Sequence, residues 1–206
     1  MFLKELMQVR NLFIVFILIL SLSLIATDSA SAYSYAEKED PMAILFKSAV
    51  SAAKKGDWPK VSEYARKGMA EQKGHIFEAD FLSPAFKAAV DAKDVSATAE
   101  VFANLVYISI REKLHRTVRE AFKNFKSSRA RLQIARKSYL DVLDGNVKKQ
   151  DPERSGAILK QFDIALKSLG NPGFFGVGKK QPDKSRYSEA VKTIETLIIQ
   201  TFPSFK

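Results

Sequence analysis

The 206-residue sequence contains no cysteine, only two histidines and a single tryptophan. The absence of cysteine excludes disulfides, thiolate zinc sites, iron–sulfur clusters and covalently attached haem, so the fold must be stable through packing alone. With only His75 and His115 available, a metal centre with three histidines is also excluded. The chain has no G-x-S-x-G nucleophile elbow. We therefore predict a non-enzymatic protein.

The first 32 residues have the three parts of a secretory signal peptide. Lys4 and Arg10 supply positive charge, an apolar run of 15 residues follows at 12–26, and small residues occupy 30–32. The run is shorter than the ~20 residues that a membrane-spanning helix needs. We therefore predict that the leader is cleaved at its end. The mature chain would be exported to the periplasm or the extracellular space and would not be an integral membrane protein.

Helical spacing of apolar residues runs through the rest of the chain, and no stretch alternates as a strand would. After a polar segment at 33–40, Asp40-Pro41 is a typical helix start, and Asp-Pro recurs at 151–152. Gly170 followed by Pro172 is typical of a helix end. We predict an all-α protein in which residues 41–206 form one antiparallel bundle of four or more helices.

The segment from residue 95 to residue 147 has one glycine, Gly145, and no proline. Its apolar residues keep a helical period throughout. This pattern predicts either one very long helix or two helices that meet near Ser127 and Ser128.

Positive charge is concentrated in the second half of the chain. Residues 33–110 contain 10 basic and 11 acidic residues, whereas residues 111–206 contain 21 basic and 10 acidic ones. The densest part runs from Arg111 to Lys137, with 10 basic residues and only two acidic ones. Its apolar residues form a stripe, and most of the basic residues lie off that stripe. The candidates for binding an anionic partner are Arg116, Lys123, Lys126, Arg131 and Lys137.

Such a basic helix fits an anionic partner in the cell envelope, which would be a membrane surface, a cell-wall polymer or a protein. The sequence contains no recognised nucleic-acid-binding motif, and the leader argues against an intracellular target, so nucleic acid is not expected. The alternative is a helix that packs on the core and whose basic side is only solvated.

Both histidines have carboxylates near them in sequence. Glu112 and His115 form an E-x-x-H pair, but a di-iron bundle needs two such pairs, so an ion pair is favoured here. The other histidine lies in a set of residues that would suit iron or zinc. This set consists of His75, Glu71, Glu78 and Asp80. A solvated loop histidine is the alternative.

The H-x-x-E pair of His75 and Glu78, with Gly74 before it, resembles the G-x-H-x-x-E motif of imelysin-type proteins. The chain is similar in the same way to the helical periplasmic domains that accompany bacterial iron permeases. Gly74 directly precedes His75, whereas the glycine of the family stands one residue earlier. The resemblance implies a role in periplasmic metal handling and no hydrolysis.

Overall fold

The computed structural model describes residues 39–173 and 177–205, and the regular structure of these ranges is helical. The all-α prediction is therefore confirmed for this part of the chain. The predicted signal peptide, residues 1–32, and the polar segment up to residue 38 lie outside the described residues. The helices are α1 (Pro41–Lys54), α2 (Trp58–Gln72), α3 (Ser83–Asp91), α4 (Val95–Arg119), α5 (Phe125–Ser138), α6 (Asp144–Gln150), α7 (Pro152–Ser168) and α8 (Lys184–Thr201). A 3₁₀ turn (Asp80–Leu82) precedes α3, and a π-helical turn (Tyr139–Leu143) joins α5 to α6.

Aspartate side chains cap several of these helices, and two of these aspartates, Asp40 and Asp151, stand where the sequence predicts a start. Asp40, Asp151 and Asp183 each accept a hydrogen bond from a backbone N–H in the first turn of α1, α7 and α8, at 2.9–3.0 Å. Pro41 and Pro152 then occupy the first helical position. A capping carboxylate satisfies an N–H group that has no partner within the helix, and it contributes about 1 kcal/mol.

The long apolar segment breaks between α4 and the continuous helical run of α5, the π-helical turn and α6, but the predicted position of the break is wrong. Residues 120–124 separate α4 from α5, and Ser127 and Ser128 lie in the first turn of α5. Ala121 and Phe122 adopt positive φ angles of 52° and 60°, which non-glycine residues rarely do. Asn124 then caps α5 by accepting a hydrogen bond from the N–H of Ser127 at 3.0 Å. Neither glycine nor proline marks this turn, so the helical pattern alone did not reveal it.

Helix α4 is the central element, because it contacts α1, α2, α3, α5 and α8. Its residues 102–110 are all buried. Gly68 allows α2 to approach α4 closely, since a Cβ at this position would collide with Cδ2 of Leu105. The core of the protein therefore surrounds the middle of α4.

A buried carboxylate connects α1, α4 and α5. Asp40 is only 2% exposed, and it accepts hydrogen bonds from the hydroxyls of Ser109 and Ser138, each at 3.0 Å. Lys113 forms an ion pair with the same carboxylate at 2.8 Å. Midway along α5, Arg131 pairs with Glu120 beside the α4–α5 turn at 2.5 Å. The end of α5 therefore lies beside the middle of α4 while its first half contacts the end of α4, so the two helices run antiparallel.

Helices α7 and α8 also run antiparallel. At one end the N–H of Asp183 donates to the carbonyl of Ser168 at 2.9 Å, and at the other Arg154 donates to the hydroxyl of Thr201 at 2.9 Å.

Within residues 39–173 and 177–205, no helix has both the length and the apolar character that a membrane crossing requires.

Candidate anion-binding surface

The α4–α5 turn and the α7–α8 connection lie at the same end of the helices. Tyr187, at the start of α8, donates its hydroxyl hydrogen to the carbonyl of Leu114 near the end of α4, at 3.0 Å. Phe122 in the α4–α5 turn packs edge-on against Tyr187, with ring centroids 5.1 Å apart. The end of α7 adjoins the start of α8, because the N–H of Asp183 donates to the carbonyl of Ser168. The end of α4, the α4–α5 turn and the two ends of the α7–α8 connection therefore meet in one region.

Exposed lysine and arginine side chains cover this region, which we name the basic end. None of them forms an ion pair with another residue that the structure describes. The basic end consists of Arg119, Lys123, Lys126, Arg129, Lys167, Lys179, Lys180, Lys184 and Arg186.

Four carboxylates lie close in sequence to the basic end. Glu120 pairs with Arg131, Asp163 pairs with Arg136, and Asp183 caps α8 by accepting the N–H of Arg186, whereas Glu189 is exposed. The nine cations outnumber these carboxylates, so much of their positive charge is left for solvent or for an anionic partner. Exposed charges of one sign that lie close together raise the local potential and attract opposite charge from a distance.

Two of the five residues predicted to bind an anionic partner belong to the basic end. Lys123 and Lys126 are exposed on either side of the start of α5. The other three have carboxylate partners within the chain. These pairs are Arg116 with Glu112 at 2.7 Å, Arg131 with Glu120 at 2.5 Å, and Lys137 with Asp141 at 2.6 Å.

Sequence reasoning missed the contribution of the α7–α8 connection. Lys179, Lys180, Lys184 and Arg186 lie more than 40 residues after the predicted basic helix ends at Lys137. The charge imbalance of residues 111–206 was the only signal that included them. Their position beside the α4–α5 turn follows from the packing of α8 on α4, which no local pattern encodes.

Glu112 and His115 of the E-x-x-H pair each form an ion pair, but with other residues and not with each other. His115 Nε2 lies 2.8 Å from Glu195 of α8, and Arg111 Nε donates to the same carboxylate at 3.2 Å. Burial raises the pKa of Glu195, but the hydrogen bonds and charges of His115 and Arg111 outweigh burial and lower the pKa below its ordinary value. This cluster therefore joins α4 to α8.

Glu112 holds the loop between α2 and the 3₁₀ turn. Its carboxylate accepts the N–H of Ile76 at 2.8 Å, and it is buried. The ring of Phe77 in the same loop lies edge-on to His115, with centroids 5.1 Å apart, and beneath the guanidinium of Arg111 at 4.0 Å. The two residues of the E-x-x-H pair thus hold neighbouring elements in place.

The predicted metal ligands lie on and around this loop. His75 Nδ1 is 3.3 Å from Oε1 of Gln72, and Glu78 accepts the N–H of Gly74 at 3.3 Å. Glu71 and Asp80 are exposed. Among the residues that the structure describes, no three of the types His, Cys, Asp and Glu are placed to hold one metal ion. The iron or zinc site remains a prediction.

In comparisons with known proteins, no family model, no curated protein and no solved structure matches this chain. The resemblance of Gly74, His75 and Glu78 to the imelysin-type motif therefore also remains a prediction.

Proposed function

We propose that this chain is an exported, non-enzymatic helical-bundle protein that binds an anionic partner of the cell envelope through the basic end. The observation that carries the proposal is that exposed cations from two connections and from the helix turns beside them lie at one end of the helices, none with an ion-pair partner among the described residues. A surface that only kept the protein soluble would not need its charge on one end of the helices.

The expected strength of binding follows from the number of free cations. Each lysine or arginine near an anionic lipid surface contributes about 1 kcal/mol, and this contribution falls within a Debye length of ~10 Å at moderate salt. Several such residues acting together give substantial binding that weakens steeply as salt rises. The cations that already pair with carboxylates, such as Arg116 and Lys137, add less, because part of their charge is already neutralised.

Charge reversal tests the proposal. Lys123→Glu combined with Lys126→Glu should weaken co-sedimentation with phosphatidylglycerol-containing vesicles, or with poly(glycerol phosphate), by at least roughly 25-fold, since about 2 kcal/mol of attraction is lost. The matched control combines Lys67→Glu with Lys93→Glu, which changes the net charge equally at exposed, unpaired positions outside the basic end. The control should bind nearly as the wild type does.

Two results would count against the proposal. If both double variants lose the same affinity, net charge alone governs binding and the basic end has no special part. If the wild-type protein binds neither probe at low salt, an anionic envelope partner is excluded for this surface.

A further inference from the structure

A cavity of about 320 Å³ opens between the first half of α5 and the end of α7, within the basic end. This volume falls in the range of ~300–1,000 Å³ that is typical of small-molecule sites. The cavity is lined by Phe125, Arg129, Gln133, Leu166, Lys167, Gly170 and Asn171.

The lining combines an apolar floor with positive and amide groups. Phe125 and Leu166 are half-buried and pack against the core, whereas Arg129 and Lys167 are exposed at the rim. Among the residues that the structure describes, no carboxylate lines the cavity. Asn171 uses its Oδ1 to accept the N–H of Gly173 at 2.9 Å, so its amide N–H groups are left for a ligand. These groups suit an anion that is attached to an apolar segment.

The backbone around the cavity also favours an anion. Helix α5 begins beside it at Phe125, and the amino end of a 14-residue helix carries partial positive charge. The Asn124 cap accepts only the N–H of Ser127 through its side chain. At the opposing end of α7, the carbonyls of Lys167 and Ser168 accept the N–H groups of Gly170 and Asp183, at 3.4 and 2.9 Å.

We propose that this cavity binds the headgroup of one anionic phospholipid. The phosphate would pair with Arg129 and Lys167, the headgroup hydroxyls would bond to Gln133 and Asn171, and the apolar part next to the glycerol would lie on Phe125 and Leu166. A bare inorganic phosphate would leave the apolar floor uncovered. The proposal rests on the proposed function, since it names a membrane lipid as the anionic partner of the basic end.

Short-chain lipids test the cavity separately from general attraction to a charged surface. Dihexanoylphosphatidylglycerol, titrated below its micelle-forming concentration, should give saturable binding of one molecule per protein by calorimetry. Dihexanoylphosphatidylcholine and sodium phosphate should give none. Arg129→Ala should weaken the binding at least roughly tenfold, as expected for the loss of a charged hydrogen bond. Lys184→Ala removes the same charge from the basic end outside the cavity, and should change it less than about twofold.

The outcomes separate this proposal from the proposed function. Equal weakening by Arg129→Ala and Lys184→Ala would overturn the cavity site, and so would binding of sodium phosphate as tight as that of the short-chain lipid. If the short-chain lipid does not bind while vesicles still bind in a salt-dependent way, the cavity proposal fails and the proposed function stands. If vesicles and poly(glycerol phosphate) also fail to bind, both are overturned.

Discussion

Replacing Asp40 with alanine should destabilise this protein more than the loss of a helix cap alone. The carboxylate accepts the N–H of Met42 at 3.0 Å, which caps α1. It also accepts the hydroxyls of Ser109 and Ser138, and it pairs with Lys113 at 2.8 Å. The side chain of Asp40 is 1% exposed and that of Lys113 is 17% exposed, so water replaces few of these contacts.

The magnitude follows from what the alanine variant leaves behind. Loss of the cap costs about 1 kcal/mol. Removal of one partner from a buried ion pair costs about 3–5 kcal/mol, because the remaining charge, here that of Lys113, keeps only hydrogen bonds to Ser109 and no carboxylate. These two costs overlap, and we expect Asp40→Ala to lower the free energy of unfolding by roughly 3–5 kcal/mol in total. Proteins are commonly stable by about 5–15 kcal/mol, so this loss is a large fraction.

Asp94 provides the matched control. It caps α4 by accepting the N–H groups of Ser96 and Ala97 at 2.7 and 3.0 Å, but it is exposed. Asp94→Ala should therefore cost only about 1 kcal/mol. Asp40→Asn keeps a capping oxygen and removes the charge, so its effect should lie between those of the two alanine variants. Urea unfolding followed by far-UV circular dichroism at pH 7 measures all three free energies.

Equal destabilisation by Asp40→Ala and Asp94→Ala would refute the reasoning. In that case the buried cluster would contribute nothing beyond its capping hydrogen bond. The slope of the free energy of unfolding against urea should be the same in each variant, because a changed slope would mean that the folded or unfolded ensemble had also changed.

Two further predictions concern the packing of α4. Glu195→Gln should reduce stability at pH 7, and the gap to wild type should close as the pH falls below about 4.5, because a lowered carboxyl pKa stabilises the fold only while the group is ionised. A gap that stays constant from pH 7 to pH 3 in urea unfolding would contradict this. Gly68→Ala should destabilise the protein by about 1–3 kcal/mol through collision with buried Leu105. Gly156→Ala, in open space within α7, should instead stabilise the protein by up to ~1 kcal/mol in the same thermal or urea unfolding assay. If Gly68→Ala proved more stable than Gly156→Ala, α2 would not pack closely on α4.

Local interactions explain why much of the helical architecture could be predicted. A capping aspartate, a proline at the first helical position and a glycine after the last turn act within four residues of one another. The starts at Asp40 and Asp151 and the end near Gly170 could therefore be predicted from the sequence. The predicted position of the turn between α4 and α5 was wrong because Ala121 and Phe122 adopt left-handed conformations, which alanine and phenylalanine rarely do.

The amino-acid sequence by itself determined the all-α class, the helix starts at Pro41 and Pro152 and the excess of positive charge after residue 110, because each depends on composition or on neighbours a few residues apart. Only the tertiary structure decided which cations remain free. It pairs Arg131 of α5 with Glu120 at the end of α4, and it brings Tyr187 at the start of α8 against Phe122 of the α4–α5 turn, although 65 positions separate these two rings. The physical reason is that charge pairing depends on distances in space, and these are set by the burial of apolar faces against α4.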